Sequence, residues 1–87
     1  MSTYCYVYVL RSIKDGQFYV GLTRNLPARL MAHNNGQVTS TKGRVPLELI
    51  YWEGCLNEGD AARREKYLKS AWGKRYIKGR LRQYLMG

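Results

Sequence analysis

The carboxylate of Glu65 lies where the surrounding pattern predicts an apolar side chain. Four residues follow one another at spacings of four, three and four: Ala61, Glu65, Leu68 and Trp72. That spacing is typical of the apolar stripe of an amphipathic helix. A carboxylate in such a stripe is either partly exposed and paired with Arg64 or Lys69, or it is a ligand for a hard divalent cation. Helix geometry alone favours the ion pair.

Arg29 and His33 are a second pair with chemical potential. They are four residues apart, so on a helix they would share one face. A guanidinium there can hold a phosphate through two parallel hydrogen bonds, and an imidazole can relay a proton near neutral pH. An exposed Arg and His on a short helix usually have no such role, so the spacing alone is weak support.

Tyrosine is the most frequent aromatic residue, with eight copies in 87 residues. Tyr4, Tyr6 and Tyr8 alternate, so on a strand they would project from one face. A hairpin between the first two strands would bring Tyr19 close to Tyr8. Phenols on paired strands ordinarily pack and hydrogen-bond through their tips. Cations or a metal could instead lower their pKa values enough for one to orient or deprotonate a water. Packing is the stronger interpretation from the residues alone.

The chain is strongly basic. Fifteen Lys and Arg against six Asp and Glu give a net charge of +9, and nine of the cations lie between position 63 and the C-terminus. This charge favours a polyanionic partner, nucleic acid above all, without separating an enzyme from a binding protein. A loop with Thr41, Lys42 and Arg44, and a tail starting at Lys74, mix hydroxyls, cations and aromatics as phosphate contacts do. They would equally suit a solvated surface.

The remaining pattern predicts the elements that position these residues. Strands are predicted over 4–11, 18–22 and 47–52, the first two joined by a hairpin at 14–16. Helices are predicted from an Asn25 cap to 34–36, from an Asn57 cap to about Ser70, and over 72–85 with a break near Gly79. This order predicts an α+β fold in which a small three-stranded antiparallel sheet is flanked by about three helices, as one domain over residues 1–87.

The composition also indicates a compartment. The longest apolar stretch, from Tyr4 to Leu10, is far shorter than the roughly twenty residues of a membrane span, and no basic segment precedes it as in a secretory signal. We therefore expect a soluble cytoplasmic protein that contacts no membrane. Cys5 and Cys55 are expected to be reduced thiols, and two distant Cys with one His do not match a structural zinc site.

Taken in order, these positions resemble the GIY-YIG nuclease superfamily. The segments Tyr6-Val7-Tyr8 and Tyr19-Val20-Gly21 look like its paired naming motif, with both tyrosines and the second glycine kept. Arg29 and His33 fall where the family's first helix carries an Arg and, in several branches, a His. Glu65 falls where the family places its metal-binding Glu. The resemblance covers about residues 4–80, and within the family the chain is similar in particular to small stand-alone bacterial members.

The resemblance implies an endonuclease, a hydrolase of phosphodiester bonds in DNA, acting on single-stranded or structured substrates. Glu65 would hold one divalent cation, Mg²⁺ or Mn²⁺. Tyr8 or Tyr19 would orient the attacking water and accept its proton. Arg29 would stabilise the extra charge on phosphorus, and His33 would assist as a proton relay.

The resemblance also implies contacts to the substrate. Gly21 would let its strand pass close to the scissile phosphate. Further substrate contacts are expected from one hydroxyl and four cations: Thr41, Lys42, Arg44, Lys69 and Lys74. Many relatives rely on a separate DNA-binding domain, so a protein partner could supply target specificity here. The competing hypotheses are a catalytically inactive nucleic-acid-binding module on the same fold, and a basic RNA-binding protein unrelated to the family.

Overall fold

A computed structural model describes residues 3–87 and contains three strands and four helices within that range. The strands are β1 (Cys5–Ser12), β2 (Phe18–Thr23) and β3 (Leu47–Cys55). The helices are α1 (Leu26–Asn34), α2 (Glu58–Lys69), α3 (Ala71–Arg80) and α4 (Arg82–Met86). A short 3-10 turn spans Lys42–Arg44. Over residues 3–87, no helix combines the length and the apolar character that crossing a membrane requires.

The three strands form one antiparallel sheet in the order β2-β1-β3, which confirms the predicted fold class. The turn between β1 and β2 uses Gly16 at a φ of +73°, a conformation that costs glycine little. Because side chains alternate along a strand, Tyr6 and Tyr8 project from one face of β1, and Val7 and Val9 from the other.

Helices cover the two faces of the sheet with separate apolar clusters. On the face of Tyr8 and Leu10, α1 packs through Leu26 and Leu30. On the opposite face, α2 and α3 pack against β1 and β2. The buried residues of this second cluster are Cys5, Val7, Val9, Val20, Ala61, Leu68 and Ile77. The result is a three-layer arrangement with the central strand β1 buried on both sides.

Side-chain caps fix where the first helices begin. The Asn25 side chain accepts a hydrogen bond from the backbone N–H of Ala28 at 3.2 Å, and that of Asn57 accepts one from Asp60 at 3.1 Å. Each cap satisfies a backbone donor that the first turn leaves unpaired. Both capping positions predicted from the sequence are confirmed.

The C-terminal part of the fold refines one prediction and corrects another. The helix expected over 72–85 with a break near Gly79 is two helices, α3 and α4, which meet at Leu81. Trp72 was expected on the buried stripe of α2, yet it is 67% exposed. Helix α2 ends at Lys69 and Ser70 caps α3, so the helical spacing no longer carries Trp72 over Leu68.

Candidate active site

A buried chain of hydrogen bonds begins at Tyr8 in the middle of the sheet. The Tyr8 hydroxyl lies 2.8 Å from Nε2 of His33. Nδ1 of the same imidazole lies 2.7 Å from Oγ1 of Thr41, whose hydroxyl donates to the Val38 carbonyl at 3.5 Å. Tyr8, His33 and Thr41 are all buried. Three segments distant in sequence thus join through one imidazole.

The pKa shifts in this chain determine which atoms carry the protons. Burial, assisted by the charge of Arg29, lowers the pKa of His33 below its usual 6.5, so the imidazole is neutral at pH 7 and keeps one acceptor nitrogen. Burial raises the pKa of Tyr8 above 10.0, so its phenol is protonated. The arrangement that satisfies every partner has Tyr8 donating to Nε2 and Nδ1–H donating to Thr41.

Arg29 and Glu65 both act on the Tyr8 phenol. Burial is the largest influence on the pKa of Tyr8, and a hydrogen bond from the Arg29 side chain opposes it. The negative charge of Glu65 raises the same pKa further, so Glu65 lies close enough for its field to reach the phenol. The Arg29 side chain on α1 and the Glu65 carboxylate on α2 are therefore both within electrostatic reach of the Tyr8 phenol.

Tyr19 occupies the open side of this cluster. Its ring centroid lies 6.4 Å from that of Tyr8 and 5.1 Å from that of His33. Unlike Tyr8, it is only partly buried. It also lines a cleft of about 270 Å³ together with Lys69 and Lys74, and the other residues that line this cleft belong to the apolar cluster on the opposite face of the sheet. Tyr8, Tyr19 and His33 are thus in mutual contact, and two of the predicted substrate lysines line the cleft that Tyr19 borders.

Gly21 has a packing role within the protein in addition to the predicted one. Gly21 pairs with Tyr8 across β1 and β2. A Cβ atom at position 21 would overlap the hydroxyl and the adjoining ring carbon of Tyr8. The missing side chain makes room for the Tyr8 phenol, and the close approach of this strand to a phosphate stays a prediction.

Two of the predicted substrate contacts are engaged within the protein. Thr41 has no exposed surface, so it holds the His33 imidazole and does not face a ligand directly. Arg44 pairs with Asp15 at 3.2 Å and donates to the Phe18 carbonyl at 3.4 Å, which ties the loop to the hairpin. Lys42 alone among the loop residues predicted to bind substrate is exposed.

Glu65 is the acidic group available for a metal in this cluster. Its carboxylate is 23% exposed and pairs with Lys69 at 3.3 Å, while the other predicted partner, Arg64, pairs with Glu53 at 2.7 Å. Residues 3–87 contain no group of three or more His, Cys, Asp or Glu side chains able to share an ion. One carboxylate fits Mg²⁺, which keeps several waters and completes its shell with substrate phosphate. It does not fit zinc, which takes several protein ligands.

Two positioning residues were missed by sequence reasoning. The Asn34 side chain, at the end of α1, donates to the Leu47 carbonyl at 2.9 Å and accepts from the Leu47 N–H at 2.7 Å, which locks α1 against β3. Thr41 was recognised only as a phosphate contact. Its one sequence signal is Val38, an apolar residue in a polar loop that is buried with it.

Comparisons with known proteins agree with this geometry. Residues 4–77 match the family described as the GIY-YIG catalytic domain. A UPF0213 protein of Clostridium perfringens is 46% identical over 65 residues, which cover 74% of this chain and 69% of that protein. A UPF0213 protein of Bacillus licheniformis is 38% identical over 82 residues, covering 90% and 84%. The solution NMR structure of a UPF0213 protein from Bacillus halodurans matches with a TM-score of 0.55 and 30% identity, covering 87% of this chain and 83% of the other.

Proposed function

We propose a reaction from one premise: this chain belongs to the GIY-YIG family and, within it, to the UPF0213 proteins. Membership implies a nuclease-type activity on nucleic acid, while the names of the relatives specify no reaction. In our proposal the chain is a metal-dependent endonuclease that hydrolyses phosphodiester bonds in DNA. The observation that carries this proposal is the buried hydrogen bond between Tyr8 and His33, with Arg29 and Glu65 both near enough to affect the pKa of that phenol.

The proton of the attacking water is taken up by a pair of side chains. Tyr8 cannot act as a ready-made phenolate, because burial raises its pKa. Since Tyr8 is 1% exposed, the proposal requires that substrate binding bring the water to its hydroxyl. The hydroxyl then accepts the water proton as its own proton passes to Nε2 of His33, 2.8 Å away. Thr41 on Nδ1 keeps the imidazole oriented with Nε2 towards the phenol. Tyr19, partly exposed beside both rings, orients the water for attack on phosphorus.

Arg29, Lys69 and Lys74 stabilise the negative charge of the phosphates. As the water oxygen bonds to phosphorus and the bond to the leaving oxygen breaks, negative charge grows on the non-bridging oxygens. The Arg29 guanidinium, near Tyr8, stabilises that charge. Lys74, with Lys69, holds the neighbouring phosphates at the mouth of the cleft.

Glu65 is the residue that would hold the divalent cation in this site. A bound Mg²⁺ or Mn²⁺ would supply Lewis-acid stabilisation of the phosphate and of the departing oxygen. Glu65 must release Lys69 to bind the ion, since the two side chains pair at 3.3 Å. That partly exposed pair is weak, because water and salt screen it, and the freed Lys69 can move to a phosphate.

The test compares wild type with Glu65→Gln on labelled single-stranded, duplex and branched DNA, and on RNA of the same sequence. We expect cleavage of DNA that requires Mg²⁺ or Mn²⁺ and stops in EDTA. Glu65→Gln should reduce the rate on the order of 100-fold or more, yet leave the affinity for DNA nearly unchanged, because the carboxylate serves the chemistry rather than the contact.

A matched control is Glu58→Gln, which removes an exposed carboxylate from the same helix. Glu58 pairs with Arg24 at 2.9 Å and takes no part in the cluster around Tyr8. Its cleavage rate should equal that of wild type. Equal loss of binding and cleavage in Glu65→Gln would contradict the role of Glu65. Salt-sensitive binding without cleavage of any substrate by wild type would indicate an inactive binding module.

A further inference from the structure

An aromatic stripe lies next to the candidate site on the same face of the sheet. It consists of Tyr4, Tyr6 and Trp52. Tyr6 shares the face of Tyr8 because the two alternate on β1, and Trp52 is the direct partner of Tyr8 across β1 and β3. The stripe thus begins on the strand next to Tyr8, at the residue paired with it.

Helix α1 covers this face only in part. It packs over Leu10 and Tyr8 through Leu26 and Leu30. Beyond Tyr8 the face is open to solvent, with Tyr4 46% and Trp52 53% exposed. Large aromatic side chains grouped on an exposed surface are typical of a binding surface, since single exposed apolar residues need no explanation but a contiguous group does.

The rings of the stripe support one another. The centroids of Tyr4 and Tyr6 are 6.4 Å apart, and those of Tyr6 and Trp52 are 5.5 Å apart with an interplanar angle of 72°. Gly54, the β3 partner of Tyr6, leaves the Tyr6 ring close to the strand backbone. Trp52 therefore packs against Tyr6 in an edge-to-face contact, while about half of its own surface is exposed to solvent.

The charges around this face suit an anionic ligand. No Asp or Glu occurs between Asp15 and Glu48, the segment that contains β2 and α1, whereas the same segment carries four cations. Two of them, Arg24 and Arg44, pair with Glu58 and Asp15, which leaves Arg29 and Lys42 for a ligand. Glu53, next to Trp52, projects from the opposite face and is held by Arg64. A polyanion with flat apolar groups therefore matches both properties of the surface.

We infer that the aromatic stripe binds unpaired nucleotides by stacking, and so selects single-stranded nucleic acid for the site at Tyr8. Every base offers a face to an aromatic ring, but in a duplex those faces are already stacked on their neighbours. A strand whose phosphate lies at Tyr8 would place an adjacent base over Trp52. This substrate class rests on the proposed nuclease function, whereas binding by the stripe can be measured without cleavage.

The two tryptophans allow a direct test. Trp52 and Trp72 are both exposed, and Trp72 lies on α3 beside Arg75, away from the sheet. In Trp72→Phe, fluorescence reports on Trp52 alone; in Trp52→Phe it reports on Trp72 alone. Each variant is titrated in EDTA with an oligothymidylate and with a duplex. We expect the single strand to quench Trp52 strongly and the duplex to quench it little.

Affinity measurements complete the test. Trp52→Leu should bind the single strand about 5- to 140-fold more weakly, the loss expected for one stacked base, and its affinity for duplex should not change. Trp52→Tyr, which keeps a ring, should recover most of the loss. Trp72→Leu is the matched control and should bind as wild type does.

Several results would overturn the inference. Quenching of Trp72 but not of Trp52 would move the stacking surface to α3. Equal quenching of Trp52 by duplex would remove the selection for single strands. A protein-concentration dependence of Trp52 fluorescence without DNA, with no further effect of DNA, would make the stripe an interface between two copies of the chain. Cleavage by wild type in any of these cases would leave the nuclease proposal intact, while Trp52 quenching without cleavage would refute only that proposal.

Discussion

Replacing Gly21 with alanine tests how tightly the site is built around Tyr8. The new Cβ would overlap the hydroxyl and ring of Tyr8, which is 1% exposed. Overpacking of this kind costs about 1–3 kcal/mol. Displacing the phenol also breaks its hydrogen bond to His33, a loss of about 0.5–1.5 kcal/mol. Alanine recovers roughly 0.4–1 kcal/mol by restricting the unfolded chain.

The net effect of Gly21→Ala is therefore a loss of about 2 kcal/mol in the free energy of unfolding. For a domain of this size that lowers Tm by roughly 8–16 °C, measured by circular dichroism. In a Tyr8→Leu background the overlapping atoms are gone, so the same substitution should cost nearly nothing. The resulting coupling energy between the two positions should be about 2 kcal/mol.

A matched control is Gly79→Ala. Gly79 lies within α3, and no atom lies within 4 Å of the Cβ that would be added. Alanine there should raise the free energy of unfolding by about 0.5–1 kcal/mol, because it is the better helix former. The tight fit between Gly21 and Tyr8 is wrong if Gly21→Ala has the Tm of wild type. It is also wrong if the substitution lowers the free energy of unfolding by the same amount with and without the Tyr8 ring.

Three further outcomes are expected. The pKa of His33 is lower in the folded protein than its unfolded value of 6.5, so the stability it contributes is present above pH 6.5 and lost as pH falls through the folded value. The Tm of wild type should therefore drop over that pH window, while the Tm of His33→Gln should stay constant. Equal dependence of Tm on pH in the two proteins would contradict the assignment. Arg29→Lys keeps the positive charge but cannot donate two parallel hydrogen bonds from a planar group, so single-turnover cleavage should slow about 100-fold. An unchanged rate would show that Arg29 is not part of the site. The logarithm of DNA affinity should fall linearly with the logarithm of salt concentration, and Lys74→Gln should reduce that slope by about one; a flat salt response would exclude phosphate contacts as the source of affinity.

Much of the fold was predictable because local chemistry and global packing agree. Asn25 and Asn57 precede apolar-periodic segments and do cap helices. The hairpin follows from a glycine able to adopt positive φ between two β-rich segments. The order of these elements, with a family resemblance over most of the chain, was enough to predict a three-stranded antiparallel sheet.

The site was predictable only where spacing carried the information. Arg29 and His33 share a face of α1, as four-residue spacing requires, and Tyr8 and Tyr19 meet because the hairpin register brings them together. Thr41 could not be placed, since a polar loop has no periodicity to show that one hydroxyl is buried against His33. Trp72 was misplaced because its spacing was continued across a helix end at Lys69.

The central claim is that Tyr8 and Glu65, from different layers of the fold, act in one reaction. The measurement that tests it most directly is the single-turnover cleavage rate of Tyr8→Phe, Glu65→Gln and the double variant, with Mg²⁺ saturating. Groups that act as a unit lose activity non-additively, so the double variant should be no slower than the slower single variant. A double variant slowed by the product of the two separate losses would show that the residues act independently, and that the cluster around Tyr8 is not one active site.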